Sequence, residues 1–381
     1  MNNTRPKAFI VTNIDVFFLT NRKEQAQIMQ ERGFEIHVLA ADTGRSEEIR
    51  QLGFVFHALP MGRFGLGPLQ VLKNIWQISN IYKQEAPAVI HQLGLKIIML
   101  GTLAGLRTKA VIFNTYTGLG YLFTVDNYKT KILRRLLLLL SKWIYKNKRV
   151  IAIFQNTTDY KLFEHYGIVD QTNGHVIKGC GVKLTDFDFT PLPAGDVLRI
   201  LLPGKMLSSK GVYEFVEIAK NVKADKTIKQ QVEFQLCGGI DEGHPFAIKK
   251  EEIEKWQENG WVKWLGNQRK MSDVYKQADI VILPSWREGL PKSLLEAGAV
   301  GRPIITYNVA GCSEVVVDGV TGYVVPFGDV SKMTEYTKQL INDKTLRDKM
   351  GANSCNYIKE HFELYKIIDE NMKLYSSNKL I

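Results

Sequence analysis

Short β-branched runs alternate with longer segments of helical period along almost the whole chain, and this restricts it to a parallel α/β architecture. The first half carries such runs at Ala8–Thr12, Ile36–Ala40, Ala88–His91, Ala110–Phe113 and Val150–Phe154. The second carries them at Leu198–Leu202, Val232–Cys237, Ile280–Leu283 and Pro303–Thr306. Between them Val71, Ile75, Ile78 and Tyr82 recur at helical spacing, so one face of that helix packs on a sheet. A chain of 381 residues exceeds what one core usually serves, so two doubly wound lobes are expected. Pro191, Pro193 and Gly195 break the pattern within Thr190–Asp196, which places the boundary there. The division is then 1–190, 191–355 and a helical tail, 356–381, that is a candidate to pack back across the first lobe. Each sheet binds its ligand beyond the carboxyl ends of its strands.

Charge narrows the partners. Fifty Lys and Arg against 39 Asp and Glu give +11, which favours anions: nucleotides, diphosphates, nucleic acid or acidic lipid. Nucleic acid drops out, because no basic stripe or set of stacking aromatics accompanies the charge. Four cysteines without a CxxC and seven histidines without HxH or HxxxH spacing point to reduced thiols and no metal. The first residues lack a signal-peptide core, and Leu136–Leu140 is far shorter than the ~20 apolar residues a span requires. The expectation is a protein inside the cell, touching the inner face of the cell membrane only peripherally. Lys129–Lys146, rich in leucine and cations and free of acid, either lies on anionic lipid or supplies ordinary core.

The densest chemistry lies in Ser285–Glu296, where a buried-type strand ends, a turn bears Glu288, and a helix opens at Pro291 as its first residue. The free amides of a helix start hold phosphate or sugar oxygens. Glu288 in the turn suits sugar hydroxyls, and Glu296, about 7.5 Å along the helix at ~1.5 Å per residue, suits a vicinal diol. The alternative is a pair of solvated helix-end carboxylates. Leu202–Gly211 is a strand followed by a turn with Gly204, Lys205 and Lys210, which would neutralise a diphosphate or would be surface lysines. Gly118-Leu-Gly120 and Gly65-Leu-Gly67 lack the third glycine of a dinucleotide fingerprint, and Gly204-Lys205 is not a P-loop.

Glu288 and Glu296, with seven residues between them, resemble the EX7E signature of retaining GT-B glycosyltransferases, in particular family 4. The run Gly311–Pro326 is similar to that family's continuation. The resemblance covers nearly the whole chain. It implies two facing Rossmann-like domains with a cleft, transfer with retention, and no cofactor or metal. By matched position, Glu288 contacts the donor sugar, Glu296 the ribose, Gly289 and Leu290 the sugar or phosphate through backbone groups, and Asn267 the base. Lys205 stands where arginine is commoner, which loses the bidentate fork. On the acceptor side, Thr117, Gly118, His91 and Arg22 are candidates, with Arg22 either for an acceptor phosphate or equally a capping or surface arginine. Relatives carry histidines where Thr117 stands and near Leu93, so no histidine base is identified, and His91 is equally a core residue. The implied partners are a UDP-sugar, a polyprenyl-diphosphate-linked saccharide and an anionic membrane. An epimerase of the same fold and a non-catalytic basic binding protein are the alternatives.

Overall fold

The computed structural model describes residues 5–59 and 67–378. Among the described residues there are thirteen strands: β1 (Lys7–Ile14), β2 (Glu35–Ala41), β3 (Val55–Ala58), β4 (Val89–Leu93), β5 (Val111–Tyr116), β6 (Val150–Phe154), β7 (Gly174–Val176), β8 (Val197–Pro203), β9 (Gln231–Cys237), β10 (Lys263–Gly266), β11 (Ile280–Leu283), β12 (Ile304–Tyr307) and β13 (Gly322–Val325). They form two sheets, ordered β3-β2-β1-β4-β5-β6-β7 and β10-β9-β8-β11-β12-β13. Every pairing is parallel. The central strands β4, β6, β11 and β12 are buried at every residue, as strands covered on both faces must be. Phe9, Val11, Ile90, Ile112 and Ala152 make the first core and Ile200, Leu202, Phe234, Ile282 and Ile305 the second. β3, β7 and β13, three or four residues each, all lie at sheet edges and have no counterpart in the sequence pattern.

The chain separates into two compact units, one of residues 1–180 with 368–381 and one of residues 181–367. The division falls before the expected linker because residues 182–191 are bound to the second unit. Val182 donates to the Phe362 carbonyl, Thr190 to that of Val300, and the Arg302 guanidinium to that of Thr190. The tail also differs from expectation. Residues 356–361 finish the helix Lys344–His361, whose Ile358 packs with Val182 in the second unit. A separate helix, Leu364–Ser377, follows, and from Ile368 onward it belongs to the first unit. There Tyr375 is fully buried and accepts a hydrogen bond from Gln25 Nε2 at 2.9 Å.

The leucine-rich segment is the helix Tyr128–Ile144, started by a capping box in which Thr130 N donates to Asn127 Oδ1 at 2.9 Å. Much of its apolar face is open rather than core: Tyr128, Ile132, Leu133, Leu136, Leu139 and Trp143 are all exposed. Arg134 is not a free surface cation. Its Nε donates to the Leu122 carbonyl at 2.8 Å and its guanidinium lies over Phe123. Among the described residues no helix is long and apolar enough to cross a membrane. Gly65 and Leu66, considered above for a fingerprint, lie outside the described residues.

Candidate functional site

In the second unit the polar side chains gather beyond the carboxyl ends of β8 and β11, the neighbours at which the strand order reverses. After β8 the chain runs through Gly204 and Lys205 to a single 3-10 turn, Ser208–Lys210, and the helix Val212–Ala224. After β11 it turns through Ser285–Leu290 into the helix Lys292–Ala299. The two loops are laced together, with Trp286 N donating to the Ser209 carbonyl at 2.9 Å. Gly211 makes this approach possible. Its φ of +76° is left-handed, and a Cβ there would stand 2.1 Å from the Pro284 carbonyl oxygen.

This lacing sets Lys210 against Glu288. The ammonium donates to Glu288 Oε1, and Ser285 Oγ donates to the same oxygen at 2.6 Å. Glu288 N in turn donates to the Ala310 carbonyl at 3.1 Å, tying the turn to the loop after β12. Gly311 there, at φ +79°, leaves no room for a side chain: its Cβ would lie 2.4 Å from the Gly289 carbonyl oxygen. Glu288 and Lys210 are both partly buried, so the pair exchanges hydration for mutual contact. Neither is the free group that the sequence suggested. Lys205 is likewise engaged, donating to Oδ2 of the buried Asp241 at 2.9 Å, although its own side chain is half-exposed.

Pro291 is the cap residue and Lys292 the first helical one, so the helix begins one residue later than expected. Glu296 then lies four residues in, about 6 Å along the axis. Its side chain is 13 % exposed and its Oε1 is 3.8 Å from Lys292 Nζ. Burial pushes it up to about 6, against the opposing pull of the Lys292 charge and the Tyr275 hydroxyl. Leu290 is in the core, so only its backbone is open to a ligand, as it is for Gly289. Asn267 packs its amide into the space left by Gly239, whose Cβ would be 2.7 Å from Nδ2. It also lines a hollow of about 640 Å³ with Arg199, Lys263 and Arg269. Ser285 and Asp241 were not foreseen. Ser285 stands three residues before Glu288 in a turn, a usable signal, whereas nothing in the sequence marks Asp241 as the partner of Lys205.

In the first unit the strand order reverses between β1 and β4. Asn13, Gly94 and Thr117 meet at the carboxyl ends of β1, β4 and β5: a Cβ on Gly94 would be 3.3 Å from Asn13 Nδ2 and 3.8 Å from Thr117 Oγ1. Gly118 follows at φ +109°. His91 is fully buried and both its nitrogens are used, Nδ1 by the Tyr375 hydroxyl and Nε2 by Thr115 Oγ1 at 2.6 Å. Burial, with the nearby Arg22 charge, holds it well below its usual range and therefore neutral. The geometry gives His91 a structural place and no nitrogen for an acceptor. Arg22 is 3 % exposed. Among the described residues it has no acidic partner, and its Nε has no hydrogen-bond partner at all. Burial lowers it from its usual range. Asp15 is committed to the fold, accepting from the amides of Thr43 at 2.8 Å and Arg45 at 2.9 Å. The folding also brings together one metal-capable trio that no sequence spacing showed, His37, His57 and Glu85. Lys7 Nζ is 2.6 Å from Glu85 Oε2, and the two rings bond each other at 2.9 Å.

Two doubly wound parallel sheets, of seven and six strands, are the GT-B fold. The same fold is seen in the structure of Anabaena HepE in complex with UDP and glucose, with a TM-score of 0.78 and 15% identity, covering 98% of this chain and all of that one. A model for glycosyl transferases group 1 matches residues 186–356 and one for glycosyl transferase 4-like proteins matches residues 9–156. The chain belongs to family 4 of the glycosyltransferases. Among curated relatives, it is 26% identical over 360 residues to the N,N'-diacetylbacillosaminyl-diphospho-undecaprenol alpha-1,3-N-acetylgalactosaminyltransferase of Campylobacter jejuni, covering 91% of this chain and 92% of that one. It is 23% identical to the UDP-Gal:alpha-D-GlcNAc-diphosphoundecaprenol alpha-1,3-galactosyltransferase of Escherichia coli, with 92% and 91% covered.

Proposed function

We propose that this glycosyltransferase moves a hexose or N-acetylhexosamine from a UDP donor, with retention, onto a polyprenyl-diphosphate-linked saccharide during assembly of a surface polysaccharide or glycan. The observation that carries the reading is the Lys210–Glu288 pair at the switch point, with Glu296 one turn into the adjoining helix. The pair is a stored arrangement of two recognition groups. When donor enters, Lys210 turns from Glu288 to the diphosphate and Glu288 turns to a sugar hydroxyl, so each charge exchanges one partner for another rather than leaving water. Lys205 adds a second cation from the same loop, and Asp241 aims it. Glu296 takes the ribose diol, Gly204, Gly289 and Leu290 offer backbone groups, and Asn267 meets the base. No side chain here is placed as a covalent nucleophile. Departure and attack on one face, with the lysines stabilising the leaving diphosphate, accounts for retention.

The acceptor side is read from the first unit, where Asn13, Thr117 and Gly118 edge the switch point. Arg22, a buried cation without an acidic partner among the described residues, suits the acceptor phosphate. The two relatives named above act, by their names, on undecaprenol-diphosphate-linked sugars, which supports a lipid-linked acceptor. The open apolar face of the helix Tyr128–Ile144, beside Lys129, Lys131, Arg135 and Lys142, supports peripheral attachment to an anionic membrane. A panel of nucleotide sugars incubated with and without lipid extract tests the whole reading by the mass increment on the lipid. Free UDP should appear only when acceptor is present. Conversion of the donor sugar without any acceptor would overturn the transfer reading in favour of epimerisation.

A further inference from the structure

A second hollow, of about 670 Å³, lies in the first unit between the helices Pro68–Glu85 and Leu95–Gly105. Its lining includes Trp76, Ser79, Tyr82, Lys83, Arg107 and Lys109. Pro87 and Lys109, both in its wall, stand two residues before β4 and β5, so it lies at the amino ends of strands whose carboxyl ends carry the proposed acceptor site. Among the described residues no acidic one lines it. Among the described residues Lys83, Arg107 and Lys109 form no ion pair. Two helices end here, and their carbonyl ends bring about half a negative charge each. Three side-chain cations against about one such charge leave a surplus of roughly two. The floor is polar as well: the Tyr82 hydroxyl and Ser79 Oγ are buried without hydrogen-bond partners. Burial pushes the phenol up, so it remains a proton donor.

Leu72, Trp76, Ser79 and Lys83 share one face of the helix, spaced by four, three and four residues. Leu72 is 63% exposed and Trp76 64% exposed. That face therefore passes from open apolar surface to a cation-rimmed hollow over 11 residues, about 16 Å at ~1.5 Å per residue. Such polarity matches an amphiphile with an anionic head and an extended hydrocarbon tail. We propose that this hollow binds the head group of an anionic phospholipid, its phosphate among Lys83, Arg107 and Lys109 and one acyl chain along Trp76 and Leu72. The site is separate from the transfer chemistry and from the helix Tyr128–Ile144, and gives the first unit a lipid-specific contact beyond general attraction to a membrane.

The test uses the full chain without donor. Dihexanoyl-phosphatidylglycerol, kept below the concentration at which it forms micelles, is titrated by calorimetry against wild type and against Arg107→Glu/Lys109→Glu, both exposed positions. One-to-one binding is expected, at least tenfold weaker in the double variant, in Trp76→Ala and for dihexanoyl-phosphatidylcholine. A Leu136→Ser/Leu139→Ser variant of the other helix should bind the soluble lipid as wild type does. Equal affinity in the double variant overturns the proposal, as does absence of binding. Competition by inorganic phosphate at the same concentration as the lipid would overturn the assignment of a tailed ligand. None of these outcomes depends on whether sugar transfer occurs.

Discussion

Lys210 cannot serve Glu288 and a diphosphate at once, and that competition can be measured. Glu288→Gln removes the competing charge, so calorimetry should show UDP binding severalfold tighter while initial rates of transfer fall at least tenfold. Unchanged or weaker UDP binding would show that Lys210 does not reach the diphosphate. A full charge-assisted bond is worth about 1.5–3 kcal/mol. Lys210→Ala should weaken UDP by less than that, because the lysine has to be drawn from Glu288 first. Glu296 gives a pH signature. Its folded value of about 6 lies above the usual 4.5, so its contribution to stability is complete below pH 4.5 and lost as pH rises through 6. A shift of that size corresponds to about 2 kcal/mol. Glu296→Gln should therefore be more stable than wild type at pH 8 by up to about 2 kcal/mol in denaturant titrations, with the difference closing near pH 4.5. On the proposed reading the ribose needs the ionised carboxylate, so UDP binding should weaken more steeply below pH 6 in wild type than in Glu296→Gln, which keeps the dependence that comes from the terminal phosphate of UDP. The carboxylates and lysines were legible as types in a turn-and-helix context. Their mutual pairing was not, because Lys210 and Glu288 stand 78 residues apart and meet only through the reversal of strand order.

At the level of elements, the strands buried on both faces could be read directly, since β11 is an unbroken apolar run and β12 begins as one, its Thr306 being buried with its hydroxyl donated to the Leu283 carbonyl at 2.7 Å. β3 could not: it holds four residues, opens with exposed Val55, and owes its existence to pairing with β2. The helix Tyr128–Ile144 shows the converse limit. Its composition allowed core or membrane surface, and only the packing shows that Leu136, Leu139 and Trp143 face outward. Each gains about 1 kcal/mol from burying its exposed half in lipid. Replacing the three with Ser should weaken sedimentation with phosphatidylglycerol vesicles by about 3 kcal/mol, roughly a hundredfold, with little change in melting temperature. Equal sedimentation would remove this helix from the membrane account. Charge reversal belongs at Lys131 and Arg135, because reversing Arg134 would break its bonds to the Leu122 carbonyl and confuse binding with unfolding.

For the whole molecule the telling feature is that the first unit is discontinuous, closed by residues 368–381. Truncation after Ile367 removes Ile368, Met372 and Tyr375, all buried, and leaves His91 and Gln25 without the Tyr375 hydroxyl. Hydrogen exchange should then rise in β1, β4 and β5 while UDP binding, proposed to rest on residues of the second unit, persists. Loss of both together would mean that the two units unfold as one. The arrangement also bears on how the protein is made. At about 5–20 residues per second, translation of residues 181–367 lasts on the order of ten to forty seconds, and through that interval the nascent first unit has no Tyr375 to cover His91. The segment that carries Tyr375 is synthesised after the whole second unit yet completes the first, so a chain released before codon 375 has the residues proposed to grip nucleotide but cannot finish its amino-terminal core.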